Sequence, residues 1–173
     1  MIESISISDF ALVDRLTLRP GAGFAALTGE TGAGKSILLQ ALGLLLGDRA
    51  SRELVRTGAD AARVEGVFPL RNSSREAVRR ILEEAGIPWE EPLIVARTVA
   101  ADGKSRAFVN GASAGLSVLA AAGAHLVEVS SQHQHQALLD EESHVRFLDR
   151  ALDEPGRADR ARYDAAWAAR LVQ

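Results

Sequence analysis

The chain has 173 residues, 47% of them hydrophobic, enough for one buried core with room for an appendage. Cysteine is absent, which excludes disulfide frameworks and cysteine-based zinc sites and fits a reducing compartment. A net charge of −3 gives no overall basic footprint for nucleic acid, and only Lys35 and Lys104 among the 20 basic residues are lysines.

The start, Met1-Ile-Glu-Ser-Ile-Ser-Ile-Ser8, lacks the basic region and apolar stretch of a signal peptide. No apolar run reaches the length of a membrane span, so the cytoplasm is the expected compartment. Ile5 and Ile7 alternate with Ser4, Ser6 and Ser8, and Leu16 and Leu18 with Arg15, Thr17 and Arg19. Both patterns have the period of a strand with one wet face and predict an early hairpin. Residues 23–28, Gly-Phe-Ala-Ala-Leu-Thr, form a short apolar run that reads as a buried strand. Residues 37–46 are apolar almost all round, as in a helix buried on both sides, and Gly47 closes that helix.

Further along, strands are expected over 63–68, 93–99 and 105–109. The last two are joined by a turn at Asp102-Gly103, and Asn110-Gly111 marks another tight turn. Between the first two, residues 74–85 place Val78, Ile81, Leu82 and Ala85 on one helical face. A short helix over 116–122 and a strand over 126–129 follow. From Gly156 the chain runs to Gln173 with Ala158, Ala161, Ala165, Ala168 and Val172 at three- and four-residue steps, the spacing of a coiled-coil seam.

Residues 29–36 match the phosphate-binding loop pattern G-x-x-x-x-G-K-[ST] in full. A polyphosphate needs several backbone N–H donors converging on its oxygens, and a glycine-rich turn lets the backbone come that close. Gly29, Gly32 and Gly34 supply the turn, with Glu30, Thr31 and Ala33 between them. Lys35 can reach the β- and γ-phosphates, Ser36 offers a hydroxyl to Mg²⁺, and the helix beginning here turns its positive end to the anion. The pattern implies nucleoside triphosphate binding.

The two hairpins suggest a mixed sheet wrapped around the phosphate-loop helix, the arrangement of the first lobe of an ABC-type ATPase head. The fold class expected is therefore α/β, a P-loop NTPase head lobe, with the start of a coiled-coil arm. The boundaries expected are 1–152 for the amino-terminal half of the head and 153–173 for the arm. Parts of a catalytic site are missing from the sequence. No run of four apolar residues ends in Asp-Glu to hold Mg²⁺ and polarise water, and there is no Leu-Ser-Gly-Gly loop to grip a partner's γ-phosphate.

Several stretches carry a closer likeness: residues 9–13 (Asp-Phe-Ala-Leu-Val), 27–37 and 41–50, joined by 55–59, 103–111 and 131–136. Together these resemble the amino-terminal head segment of the RecN family, bacterial SMC-like proteins of DNA double-strand break repair. The family usually has Asp where this chain has Gln40, and His-Gly at Ser130-Ser131. The resemblance implies an ABC-type head split by a long antiparallel coiled coil, with the acidic motif and signature loop in a carboxy-terminal segment. It implies ATP and Mg²⁺ as ligands, hydrolysis when two heads sandwich nucleotide, action on DNA ends, and a nucleoid-associated place in the cytoplasm. Its partners would be the carboxy-terminal half of the same protein, a second head and DNA, with no membrane.

From the residues alone Gln132 is a polar loop residue. The resemblance implies a catalytic role for it, contacting Mg²⁺ and the attacking water through an amide that carries no charge. His133 and His135, two apart, could bind a metal if they stood on a strand, although no cysteine or suitably spaced carboxylate supports zinc. Arg49, Arg56 and Arg106 could touch nucleotide or DNA, or simply be solvated. Two other function classes stay open. One is a self-contained P-loop kinase or NTPase, which would need its own acidic metal ligand and lid. The other is a non-catalytic interaction module that nucleotide stabilises.

Overall fold

A computed structural model of the protein describes residues 2–28, 34–70, 72–127, 149 and 152–171. They fall in two compact units, 1–128 and 129–173. The first unit is built on six strands: β1 (Ser4–Phe10), β2 (Val13–Leu18), β3 (Ala61–Phe68), β4 (Leu93–Ala100), β5 (Ser105–Val109) and β6 (Ala112–Ala114). They line up as β2-β1-β3-β4-β5-β6, and every described pair is antiparallel. Three helices, α1 (Gly34–Leu45), α2 (Asn72–Glu84) and α3 (Leu116–Leu126), belong to the same unit. Helix α1 packs on β1, β3 and β4, α3 packs on β5, and α2 packs on α3.

The alternation read from the sequence sets the layers. Ile5, Ile7, Val64, Phe68, Leu93, Val95, Val99, Ala107 and Val109 point to one face and join Ile37, Ala41, Leu44, Leu45, Val78, Leu82, Leu119 and Ala122 in a single core. Ser4, Ser6 and Ser8 lie on the opposite face. Two glycines outside any turn make the helices fit. A Cβ on Gly66 in β3 would stand 2.8 Å from Leu45 Cδ1 and 2.7 Å from Phe68 Cε2, so α1 can approach the sheet only over a bare strand position. A Cβ on Gly123 in α3 would lie 2.9 Å from Leu46 O, which fixes how closely α3 crosses the end of α1.

The ends of the elements follow their chemistry. Helix α1 closes with Asp48 N–H donating to Gly43 O (2.9 Å) and Gly47 N–H to Leu44 O (3.3 Å), with Gly47 in the left-handed region. Helix α2 closes the same way through Gly86, and the motif seats Ile87 in the core instead of Ala85, which is exposed. Asn110 and Gly111 both have positive φ (49° and 79°), as a two-residue hairpin turn requires. Asn110 also accepts from Ile94 N–H (3.0 Å) and donates to Pro88 O (3.2 Å), tying the turn to the neighbouring loop. The three-residue β6 and a 3₁₀ turn over Arg52–Leu54 carry too little pattern to be seen in sequence.

Three expectations change. Residues 23–28, expected as a buried strand, form no strand and are exposed, with Phe24 95% and Leu27 51% accessible. A strand needs a neighbour to accept its ladder hydrogen bonds, and none of the six described strands provides one. Helix α1 is buried on one side only: Ile37, Ala41, Leu44 and Leu45 face the sheet, while Leu39 is 51% accessible. A single sheet face covers it, and no second described layer lies on its other flank. Finally, α3 continues through Leu126, where a strand was expected to start, because Leu119, Ala122 and Leu126 share a buried helical stripe. The remainder of that expected strand, 128–129, is outside the described residues.

In the second unit, α4 spans Glu154–Leu171. Asp153 starts it, its carboxylate accepting from Gly156 N–H at 3.0 Å. Arg160 pairs with Asp164 and Asp149 (both 3.1 Å), and the rings of Tyr163 and Trp167 stack 6.3 Å apart. Ala158, Ala161, Ala165 and Ala168 are all exposed on α4, and Val172 lies outside the described residues. No described helix is long and apolar enough to cross a membrane.

Candidate functional site

Of the eight loop residues singled out, the structure describes the last three. Gly34 opens α1, with Lys35 and Ser36 in its first turn. Gly34 and Ser36 are exposed, Lys35 is half-buried, and nothing lies within 4 Å of where a Cβ on Gly34 would stand. Among the described residues nothing crowds the amino-terminal end of α1, where the helix dipole favours an anion, and the Ser36 hydroxyl in its first turn is accessible. Gly29, Glu30, Thr31, Gly32 and Ala33 lie outside the described residues, as do Gln132, His133, His135, Ser130 and Ser131. Among the described residues no group of three or more His, Cys, Asp or Glu side chains could hold a metal.

The far end of α1 carries a feature that the sequence reading missed. Arg97 stands on the core-facing side of β4, between Val95 and Val99, and is fully buried. Its Nη1 donates to Leu44 O (3.3 Å) and Asp48 O (3.5 Å), and Nη2 donates to Ser105 Oγ (2.6 Å). Burial lowers its pKa below the usual guanidinium value, and the nearby Asp48 carboxylate opposes that shift. The cation meets the carbonyl end of α1, where the helix dipole is negative, so it braces the helix at the end opposite the loop. Its Nε has no partner among the described residues. A charged residue at an inward position of an alternating apolar strand was the sequence signal for this.

The other arginines separate. Arg56 pairs with Asp14 (3.2 Å) and Asp9 (3.8 Å), holding the β1–β2 turn, where Asp9 and Ala11 both have positive φ. The same turn is clamped by Ala11 N–H donating to Leu54 O and Arg56 N–H to Asp9 O. Arg106 is exposed on the outer face of β5, and Arg49 is exposed beyond α1.

Comparison with known proteins places this architecture. Residues 4–142 match the family model described as AAA domain. The chain is 42% identical over 150 residues to the DNA repair protein RecN of Halalkalibacterium halodurans, covering 86% of this chain and 26% of that protein. It is 41% identical over 149 residues to the DNA repair protein RecN of Vibrio cholerae, with the same coverage. A solved structure described as "Structural biochemistry of ATP-driven dimerization and DNA stimulated activation of SMC ATPases" superposes with a TM-score of 0.60 at 19% identity, covering 91% of this chain and 95% of that one. The fold is that of SMC-type ATPase heads. The chain spans about a quarter of the length of the curated relatives it matches. It belongs to the AAA-domain family, and its likeness within that family is to RecN-type DNA repair proteins.

Proposed function

We propose that this chain is the ATP-binding half of an SMC-like ATPase head acting in DNA double-strand break repair and recombination. The observation that carries this reading is the loop sequence 29–36 running into the first turn of α1, on a head-type fold. The described residues of the loop fit a nucleotide, since no described residue crowds Gly34 at the first turn of α1. The backbone amides of 29–34 and Lys35 would hold the β- and γ-phosphates, and Ser36 with Gln132 would hold Mg²⁺. Bound Mg²⁺ would neutralise charge building on the phosphates.

Hydrolysis is assigned to the completed head. The carboxy-terminal part of the protein would supply the acidic residue that orients water, and a second head would close on the γ-phosphate. The exposed Phe24, Leu27 and Leu39, which flank the loop in sequence, support this, because they offer apolar surface for the completing half. The segment 153–173 is the start of the coiled-coil arm, and the protein works in the cytoplasm at the nucleoid.

Titration with a fluorescent ATP analogue and Mg²⁺ tests the reading. Lys35→Ala is expected to weaken binding about 100- to 1,000-fold, the scale seen when one preorganised donor to a phosphate or oxyanion is removed. Equal affinity of Lys35→Ala and the parent chain would contradict it.

A further inference from the structure

We infer that Arg97 is a positioning residue for ATP hydrolysis. From the far end of α1 it fixes where that helix stands along its own axis, and so where Lys35 and Ser36 stand. This rests on the reading of the chain as the ATP-binding half of an ATPase head. Lys35 and Leu44 lie on the same helix, about 13 Å apart at the usual helical rise, so a shift of the last carbonyls is carried to the loop as by a rod.

What holds α1 differs with direction. In depth and sideways it is held by apolar contact: Ile37, Ala41, Leu44 and Leu45 in the core, the bare position at Gly66, and the crossing at Gly123. Such contact is non-directional and fixes a slide along the axis less sharply than a hydrogen bond does. The Arg97 guanidinium acts along that axis. Its Nη1 donates to Leu44 O at 3.3 Å and to Asp48 O at 3.5 Å, carbonyls of the last turn and of the residue that closes it. Gly43 leaves room for this closure, since a Cβ there would collide with the Asp48 carboxylate.

The anchor is itself held. Strand β4 is paired on both sides, with Arg97 opposite Val64 of β3 and Ala107 of β5. Nη2 donates to Ser105 Oγ at 2.6 Å, so a second strand orients the planar fork. Among the described residues Arg97 is the one buried charged side chain, and its Nε has no partner there. A buried cation with an unmade hydrogen bond is a poor source of stability, since an apolar side chain of similar volume often does as well. A fixed direction of pull is what the apolar side chain lacks.

The consequence falls on turnover. Bound phosphates would move with the loop and α1 as one body, so the affinity of this chain for ATP changes little. Groups supplied by the carboxy-terminal part and by the second head would not move with them, and a misplacement of about 1 Å can lower a rate about 100-fold.

The test uses the full-length protein, with steady-state ATP turnover, ATP affinity and thermal unfolding measured on the same samples. In Arg97→Met, kcat is expected to fall about 10- to 100-fold while ATP affinity stays within about 3-fold of the parent. Arg97→Lys, a point donor in place of a fork, should recover part of that loss. Ser105→Ala, at an exposed position, keeps the fold and should lower kcat about 3- to 10-fold. Val78→Ala, which opens a cavity under α2, is the control: it should lower the unfolding temperature and leave kcat unchanged. Parent-like kcat in Arg97→Met, or in Ser105→Ala should the methionine variant not fold, would overturn the positioning role and leave the ATPase reading intact. Parallel losses of kcat and ATP affinity, or an equal loss of kcat in Val78→Ala, would also overturn it, reducing Arg97 to a part of the core. Absence of ATP turnover by the parent would overturn the proposed function together with the positioning role.

Discussion

The two ends of α1 differ in how completely they are satisfied. At the carboxy-terminal end the helix closes on Gly47, rests on Gly66 and Gly123, and has its last carbonyls met by the buried Arg97. Toward the loop, no described residue crowds the amino-terminal turn, Leu39 is half accessible, and residues 24–28 carry two large apolar side chains into solvent. One end is a finished core. The other presents exposed apolar side chains and an accessible Ser36 hydroxyl, the surface expected if, as proposed, the catalytic site is shared between segments.

That contrast yields graded expectations. Arg97→Ala should cost the most stability, about 3 kcal/mol by thermal or urea unfolding, because it removes charge-assisted hydrogen bonds and leaves a cavity. Arg97→Met, which fills the volume without the charge, should lose markedly less. If the alanine and methionine variants are equally destabilised, the hydrogen bonds and not the packing dominate.

Gly66→Ala should cost about 1–3 kcal/mol, since Leu45 and Phe68 must both move to admit a methyl group. Because α1 carries the loop, a loss of ATP affinity smaller than the loss of stability would show that the two ends are mechanically separable. Phe24→Ser with Leu27→Ser should change the unfolding free energy least, by about 0.5 kcal/mol or less, since neither side chain leaves solvent in this chain. The same pair should measurably weaken association with the remainder of the protein, read by analytical ultracentrifugation or pull-down of the separate segments. A large stability loss from this pair would mean that residues 24–28 are packed, and the contrast between the two ends of α1 would collapse.

Much of the architecture was legible in the residues. Period-two alternation identified β1 and β2, Asp102-Gly103 and Asn110-Gly111 marked the turns from β4 to β5 and from β5 to β6, and Val78 and Leu82 gave the buried face of α2. The loop reading at 29–36 rests on a spacing dictated by phosphate chemistry, and of its residues Gly34, Lys35 and Ser36 are described, at the start of α1. What failed did so where local pattern depends on absent or distant neighbours. Residues 24–28 have the composition of a buried strand, but composition reports a tendency to be covered and cannot say by what. Leu126 belonged to either a helix or a strand until its stripe with Leu119 and Ala122 decided. Arg97 was missed because a single charge in an apolar strand only makes sense once the end of α1 is seen above it. The role given to Gln132 came from family likeness, and its position is outside the described residues.

The most direct measurement is steady-state ATP turnover by this 173-residue chain, alone and after addition of the separately prepared carboxy-terminal segment of the protein. The account predicts ATP binding without turnover for the chain alone, and turnover that appears on mixing and is lost with Lys35→Ala. Turnover by the chain alone, sensitive to Lys35→Ala, would show a complete site within these residues and contradict the shared-site account.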